Sequence, residues 1–420
     1  MRQSASGVAM RSREAVFCFL AAISASVPSN GAPTVPPTGS DFSYEDLKSL
    51  IQTGKLTSIE ALLPLLPADF RSNYTLMRVT RSLQDASDLN PRAILFGKNA
   101  KLVCTFNGDP EQKGFDTLEC EQFRDLERRF DFRQIQFPTA KNKLSQVLFS
   151  ATNRSADGRA SCTSCHSKDP RPNWNAYRTW PGAYGERDDE LDPSDPYEDF
   201  VAKRDGDVRY KWLIQGPSRG SPYFDMGTIE SRPNLRFSEL IGRWNALRAR
   251  RLLASKTEPW ETLGFAVQNL RCAVEEAQLD QLKRVDPTFD FSELALQAFS
   301  KLGLSRNQFG TQTLSDVDGT GFAPYDHQAG YGYLASDVAL VVARDLAQAG
   351  NRPLQAALRA VTDRYARDLV GKERDFFLTA DSIAPDADVG TARYFDNVHG
   401  VCAELVPLFM DAYATAHPLP

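Results

Sequence analysis

The chain has 420 residues, 42% of them apolar, and a formal net charge of −5. That length accommodates two or three domains with packed cores. The acidic balance argues against a general binder of nucleic acid or of an anionic membrane surface, because either role needs a basic face.

Taken in chain order, the first segment has a basic start (Arg2, Arg11, Arg13), an apolar run from Ala15 to Ile23, and the small residues Ser24, Ala25 and Ser26. This order predicts a signal peptide over residues 1–26 and a periplasmic or secreted protein. The apolar run is far shorter than the ~20 residues of a bilayer span, and Phe17 before Cys18 is too large for a lipoprotein cleavage site. Loss of three arginines and one glutamate with the leader would take the charge from −5 to −7. No later run is long and apolar enough to predict a membrane span. Residues 27–40, rich in Pro, Gly, Ser and Thr, read as a flexible linker.

Residues 41–145 read as a small α+β domain. Leu47, Leu50 and Ile51 are spaced for one helix face, and Leu76, Val79 and Leu83 for another. Strand-like segments follow at Ala93–Phe96, Leu102–Phe106, Thr117–Cys120 and Phe130–Phe137, with Asn99 and Asn107-Gly108 as turn signals. The strand signal fades beyond Leu144. Residues 146–420 are expected to form a mainly α-helical, loop-rich domain. Its apolar stripes are Phe237, Leu240, Ile241, Trp244 and Leu247, then Leu263, Val267, Leu270 and Val274, with further helices predicted at 332–349, 352–370 and 391–416. The predicted fold class is therefore α+β, an N-terminal antiparallel-sheet domain followed by a mainly helical one.

The loop-rich stretch holds Cys162-Thr163-Ser164-Cys165-His166. Two thiols separated by two residues can add to the two vinyl groups of haem, and the adjacent imidazole can reach the iron. A redox-active disulfide is the first alternative, but such a motif opens a helix after a strand, whereas this one lies before a Pro-rich segment. Zinc is the second, but it needs more ligands at suitable spacing than the isolated His327, His399 and His417 offer. In this motif the chain resembles the c-type cytochromes. The resemblance implies one covalently bound haem c, with His166 as an iron ligand. The Pro170–Trp174 and Trp180–Tyr184 segments are similar to those of uncharacterised cytochrome-like proteins of proteobacteria. Trp174 and Trp180 are candidates to pack on the porphyrin.

The second axial ligand divides the functions. Met226, in the loop Tyr223–Gly227, is the candidate ligand for an electron carrier. His399, His327 or an open site are the alternatives, and an open site would suit a haem peroxidase, an oxygenase or a haem-based sensor. The bacterial dihaem peroxidases and rubber oxygenases carry two attachment motifs, against one here. The leading expectation is single-electron transfer to or from a redox partner protein.

Four cysteines remain outside the motif and leader. Cys104 with Cys120 is the expected local disulfide, leaving Cys272 with Cys402; four free thiols are the alternative. The acidic run Glu186–Asp199 and the segment Asp316–Gly319 lack the alternating ligands of a calcium loop and read as solvated surface. Arg236, Arg243, Arg248, Arg250 and Arg251 are expected to be mostly exposed helix charges, with one available to a haem propionate.

Overall fold

A computed structural model of the chain describes residues 41–80, 82–151, 166, 169–170, 172, 182–184, 196–214, 233–301, 327–368 and 398–418. The predicted signal peptide and linker lie outside these residues.

Helix α1 (Tyr44–Thr53) starts where the Ser43 side chain accepts from the Asp46 amide at 3.2 Å while the Asp46 carboxylate accepts from the Ser43 amide at 2.9 Å. This reciprocal cap satisfies two amides that the first helical turn leaves unpaired. Tyr44, Leu47, Leu50 and Ile51 then fall on one buried face, as their spacing predicts. Two short helices follow, α2 (Ile59–Leu62) and α3 (Ala68–Ser72).

Six strands come next: β1 (Tyr74–Met77), β2 (Arg92–Leu95), β3 (Leu102–Phe106), β4 (Thr117–Arg124), β5 (Arg129–Gln136) and β6 (Leu148–Ala151). They form one sheet in sequential order, every neighbour antiparallel. The second helix face expected at Leu76, Val79 and Leu83 does not form, because residues 74–77 are the edge strand β1. All four of its residues are buried, so β1 lacks the alternation that identifies a half-exposed strand. The sheet also continues past residue 145 through β6, which pairs Phe149 with Ile135.

Strand alternation divides the sheet between two cores. Leu76, Leu95, Leu102, Cys104, Phe106, Leu118, Cys120 and Ile135 pack with α1 to α3 and with α4 (Tyr197–Arg204) and its following turn. Met77, Ile94, Val103, Phe123, Phe130 and Phe132 join the core of the later helices. On the first side Arg209 is only 2% exposed. It donates to the Asn107 and Phe115 carbonyls at 2.6 and 2.8 Å and to Glu60 at 2.5 Å. Burial alone would raise the Glu60 carboxyl, but the Arg209 guanidinium, together with hydrogen bonds from the Glu60 backbone amide and Ser58, holds the group below its usual range.

The later part is helical. It comprises α5 (Pro233–Lys256), α6 (Pro259–Asn269), α7 (Glu276–Val285), α8 (Phe291–Lys301), α9 (His327–Gln348), α10 (Arg352–Asp368) and α11 (His399–Ala416). Phe237, Leu240, Ile241, Trp244 and Leu247 are all buried, as their spacing predicts. The stripe expected to end at Val274 is cut short: α6 ends at Asn269, and Arg271 takes a left-handed φ of 51° in the turn before α7. Among the described residues no helix is long and apolar enough to cross a membrane.

Helix α5 joins the two parts. Trp244 stacks on Phe123 with ring centroids 4.9 Å apart and donates to the Asn99 carbonyl at 2.7 Å, while Phe237 stacks on Phe96 at 4.9 Å. Arg128 in the β4–β5 turn holds Asp345 of α9 through two bonds of 3.0 Å, and Arg250 of α5 reaches the same carboxylate at 3.3 Å.

Both expected disulfide pairs are at bonding distance. Cys104 and Cys120 are directly opposite on β3 and β4, with Cα atoms 4.2 Å apart, and Cys272 joins Cys402 with Cα atoms 5.1 Å apart. Replacing Cys104 and Cys120 together with serine should lower unfolding stability by about 3 kcal/mol, largely by freeing the unfolded chain. Chemical denaturation of the oxidised wild type and the double variant measures this directly.

Candidate functional site

Alternation along β5 directs Phe130 and Phe132 to the sheet face that meets α5. Phe130 packs with Phe123 under Trp244, and Phe132 continues the apolar surface one step further along the strand. The ring of His166 lies against Phe132, with centroids 4.3 Å apart and an interplanar angle of 47°. His166 itself is half-buried. The one described residue of the Cys162–His166 motif thus rests beside the sheet face that α5 covers.

Three residues further on, Asp169 is held by α5. Its backbone carbonyl accepts from Arg248 Nη2 at 2.6 Å, its Oδ1 accepts from Arg251 Nη2 at 2.6 Å, and Arg248 Nε lies 3.0 Å from its Oδ2. Pro172 is buried just after it. Further along, the end of the Trp180–Tyr184 segment returns to the edge of β1. Arg78 and Val79 donate to the Gly182 carbonyl, and Tyr184 donates its amide to Leu76 and its hydroxyl to the Asp88 carbonyl. Gly182 has φ of 86°, and a Cβ there would meet the Val79 carbonyl oxygen at 2.6 Å, so the close approach needs glycine. Tyr184 is fully buried against Tyr197. That aromatic therefore fills the core between β1 and α4.

The described arginines of α5 differ from their expected exposure, and the side chain of Arg236 lies outside the described residues. The Arg248 side chain is 5% exposed, and Arg250 and Arg251 are partly covered and ion-paired. Arg243 lies over the Trp244 ring at 4.5 Å. Because the helix packs on the sheet and on α9, basic residues flanking its apolar stripe meet carboxylates from other elements. Helical periodicity within α5 contains no information about those partners.

Several predicted site residues lie outside the described residues: Cys162, Cys165, Trp174, Trp180 and Met226, with the two acidic calcium candidates apart from the end of the first, Tyr197–Asp199, which opens α4. His327 opens α9. His399 is exposed at the start of α11, whose main neighbours are α6 and α10. His417 stacks on Tyr413 and meets the edge of Trp260. Among the described residues no group of three or more His, Cys, Asp or Glu is placed to hold a metal ion.

His166 offers an imidazole beside an aromatic wall, a donor type that a haem iron accepts, while the Arg248 and Arg251 guanidinium groups are engaged by Asp169. Three residues of this surroundings escaped the sequence reading. Phe132 carried only a strand signal. Asp169 could have been noticed from its spacing after His166. Glu121 sits among apolar residues, directly opposite Phe132 on one side and Val103 on the other.

Comparison of this chain with protein-family models, with curated proteins and with solved structures yields no match. The site is therefore interpreted from its own residues.

Burial pushes the Glu121 carboxyl up to about 7, against the opposing pull of Arg92. The folded state then holds its proton more tightly than the unfolded state, where a glutamate titrates near ~4.3. Its contribution to stability is accordingly lost as pH rises from that unfolded value to about 7, and is constant above. Relative to wild type, Glu121→Gln should gain stability between pH 5 and pH 7; denaturation curves across that range check this, and a pH-independent difference would contradict it.

Proposed function

We propose that the protein is an exported, single-haem c-type cytochrome that moves one electron at a time between redox partners. The observation that carries this reading is the spacing Cys162-Thr163-Ser164-Cys165-His166, two thiols and an imidazole in the order that covalent haem attachment requires. In this reading an N-terminal part built on the sheet precedes a mainly helical part that carries the haem. When bound, the haem supplies a one-electron iron couple whose potential depends on axial ligands, hydrogen bonding and burial. Cys162 and Cys165 would anchor it, His166 would ligate the iron, and Trp174 and Trp180 would be the residues to exclude water from it. Phe132 supports the reading because an imidazole packed on a buried ring has few orientations available. The two disulfide pairs are compatible with export into an oxidising compartment.

Protein produced with a cytochrome-maturation system should retain haem-dependent peroxidase staining on denaturing gels. Serine at both Cys162 and Cys165 should abolish it, and staining that survives the double substitution would overturn covalent attachment.

Met226 is proposed as the second axial ligand, a thioether that favours the reduced state and blocks exogenous ligands. Met226→Ala should lower the reduction potential and open the reduced protein to carbon monoxide. An unchanged absorption spectrum would remove Met226 from the iron, and carbon monoxide binding by the wild type would move the assignment to a haem enzyme or sensor.

A further inference from the structure

We propose that Asp169, Arg248 and Arg251 form a positioning clamp, which fixes His166 relative to α5 and sets the electrostatic field at the metal that His166 ligates. The proposal rests on the haem reading above and adds to it the residues that orient the ligand and bias its potential.

The geometry begins with spacing on α5. Arg248 and Arg251 are three residues apart, so their side chains leave the same face of the helix and converge on one acceptor. Asp169 accepts two hydrogen bonds of 2.6 Å, at its main-chain carbonyl from Arg248 and at Oδ1 from Arg251, and its Oδ2 forms an ion pair with Arg248 Nε at 3.0 Å without hydrogen-bond geometry. Arg248 is further supported from its own helix by Asn245 Oδ1 at 3.4 Å. Contact of one arginine with both the main chain and the side chain of Asp169 restrains backbone position as well as side-chain direction. That restraint acts three residues from His166.

The clamp closes a ring of contacts. Helix α5 is fixed on the sheet by Trp244, which stacks on Phe123 and donates to Asn99. Phe123 is paired with Phe130 of β5, and two residues along β5 is Phe132, whose ring lies against His166. His166 meets the sheet through Phe132, and the chain three residues on is held to the helix through Asp169. In the proposal one anchor touches the imidazole and the other restrains the chain that carries it, and the two together restrict its position and tilt.

The charges have a definite consequence. Arg248, Arg251 and Asp169 bring charge to the chain three residues from the ligand, and the 5% exposure of the Arg248 side chain limits screening by water. Net positive charge favours the reduced metal, which carries one positive charge fewer. Removing the carboxylate should raise the potential, and removing one arginine should lower it.

The test uses the full-length holoprotein and avoids Arg248, whose burial makes misfolding a confounding result. Asp169→Asn, Asp169→Ala, Arg251→Ala, Arg251→Lys and the Asp169→Ala/Arg251→Ala double variant are titrated spectroelectrochemically, with electron paramagnetic resonance of the oxidised state. Both Asp169 variants should shift the potential upward and Arg251→Ala downward. The double variant should fall between its two parents, and Arg251→Lys should recover most of the wild-type value. The resonance signals should shift in the Ala variants, as expected for a reoriented imidazole. Haem-attached variants with wild-type potentials and resonance signals would overturn the clamp while leaving the haem reading intact; shifts of the same sign on removing Asp169 and on removing Arg251 would do the same. Wild-type protein that carries no covalent haem would overturn both readings, a result distinguished at once by staining.

Discussion

Burial of the sheet on both faces is the constraint on which the rest of the structure depends. Leu95, Leu102, Leu118 and Ile135 face the N-terminal helices, while Ile94, Val103, Phe123 and Phe130 face α5 and the helices beyond it. A sheet covered on both sides leaves no solvated face on which a polar side chain can be placed without cost. Polar residues in its strands must therefore find partners within the protein. Arg92 does so by donating to Gln84, Thr105 and Glu119, and Gln84 in turn donates to the main-chain carbonyls of Thr105 and Thr117. Glu121 is the exception that burial penalises, and its raised proton affinity is the physical expression of that cost.

The same constraint gives α5 its role. One side of the helix must be apolar to cover Phe96 and Phe123, which fixes Phe237 and Trp244 in place. Its flanks cannot then be freely solvated, because α9 and Asp169 lie alongside. The arginines there meet Asp345 and Asp169. Partly buried ion pairs contribute little net stability once desolvation is counted, but breaking one partner leaves a costly unpaired charge. Their value here lies in specifying how elements from distant parts of the chain come together. Arg128 and Arg250 share one carboxylate of α9 in this way.

For a haem cytochrome, such an arrangement separates two requirements. Covalent attachment needs only a short stretch of chain with correctly spaced thiols, whereas control of potential needs a defined surrounding field and a fixed ligand orientation. The first is a local property of residues 162–166. In the proposed arrangement the second would fall to groups contributed by β5 and α5, far from the motif in sequence. The disulfides make a comparable division: Cys104 and Cys120 lock neighbouring strands, while Cys272 and Cys402 join segments separated by 130 residues.

The sequence by itself determined what depends on near neighbours. It marked α1 through its apolar spacing, strands β2 to β5 through their composition and turns, and the docking stripe of α5; it favoured the two cysteine pairings but left free thiols open, and the structure brings both pairs to bonding distance. It also supplied the spacing of Cys162, Cys165 and His166 on which the haem proposal rests, because two thiols and an imidazole act over a few residues. The tertiary structure decided what depends on partners distant in the chain. Residues 74–77 become a strand because Arg92–Leu95 is available to pair with them; their own spacing resembles a helix. Arg248 becomes a buried anchor and Arg251 a partly covered one because Asp169 reaches α5 across about 80 residues of chain. Phe132 becomes a wall for His166, and Glu121 a carboxyl that titrates near neutrality, because folding brings a sheet face, a helix and a motif segment together. Periodicity reports which side of an element is apolar; it contains no record of what will cover that side, and the chemistry of this site is set by the cover.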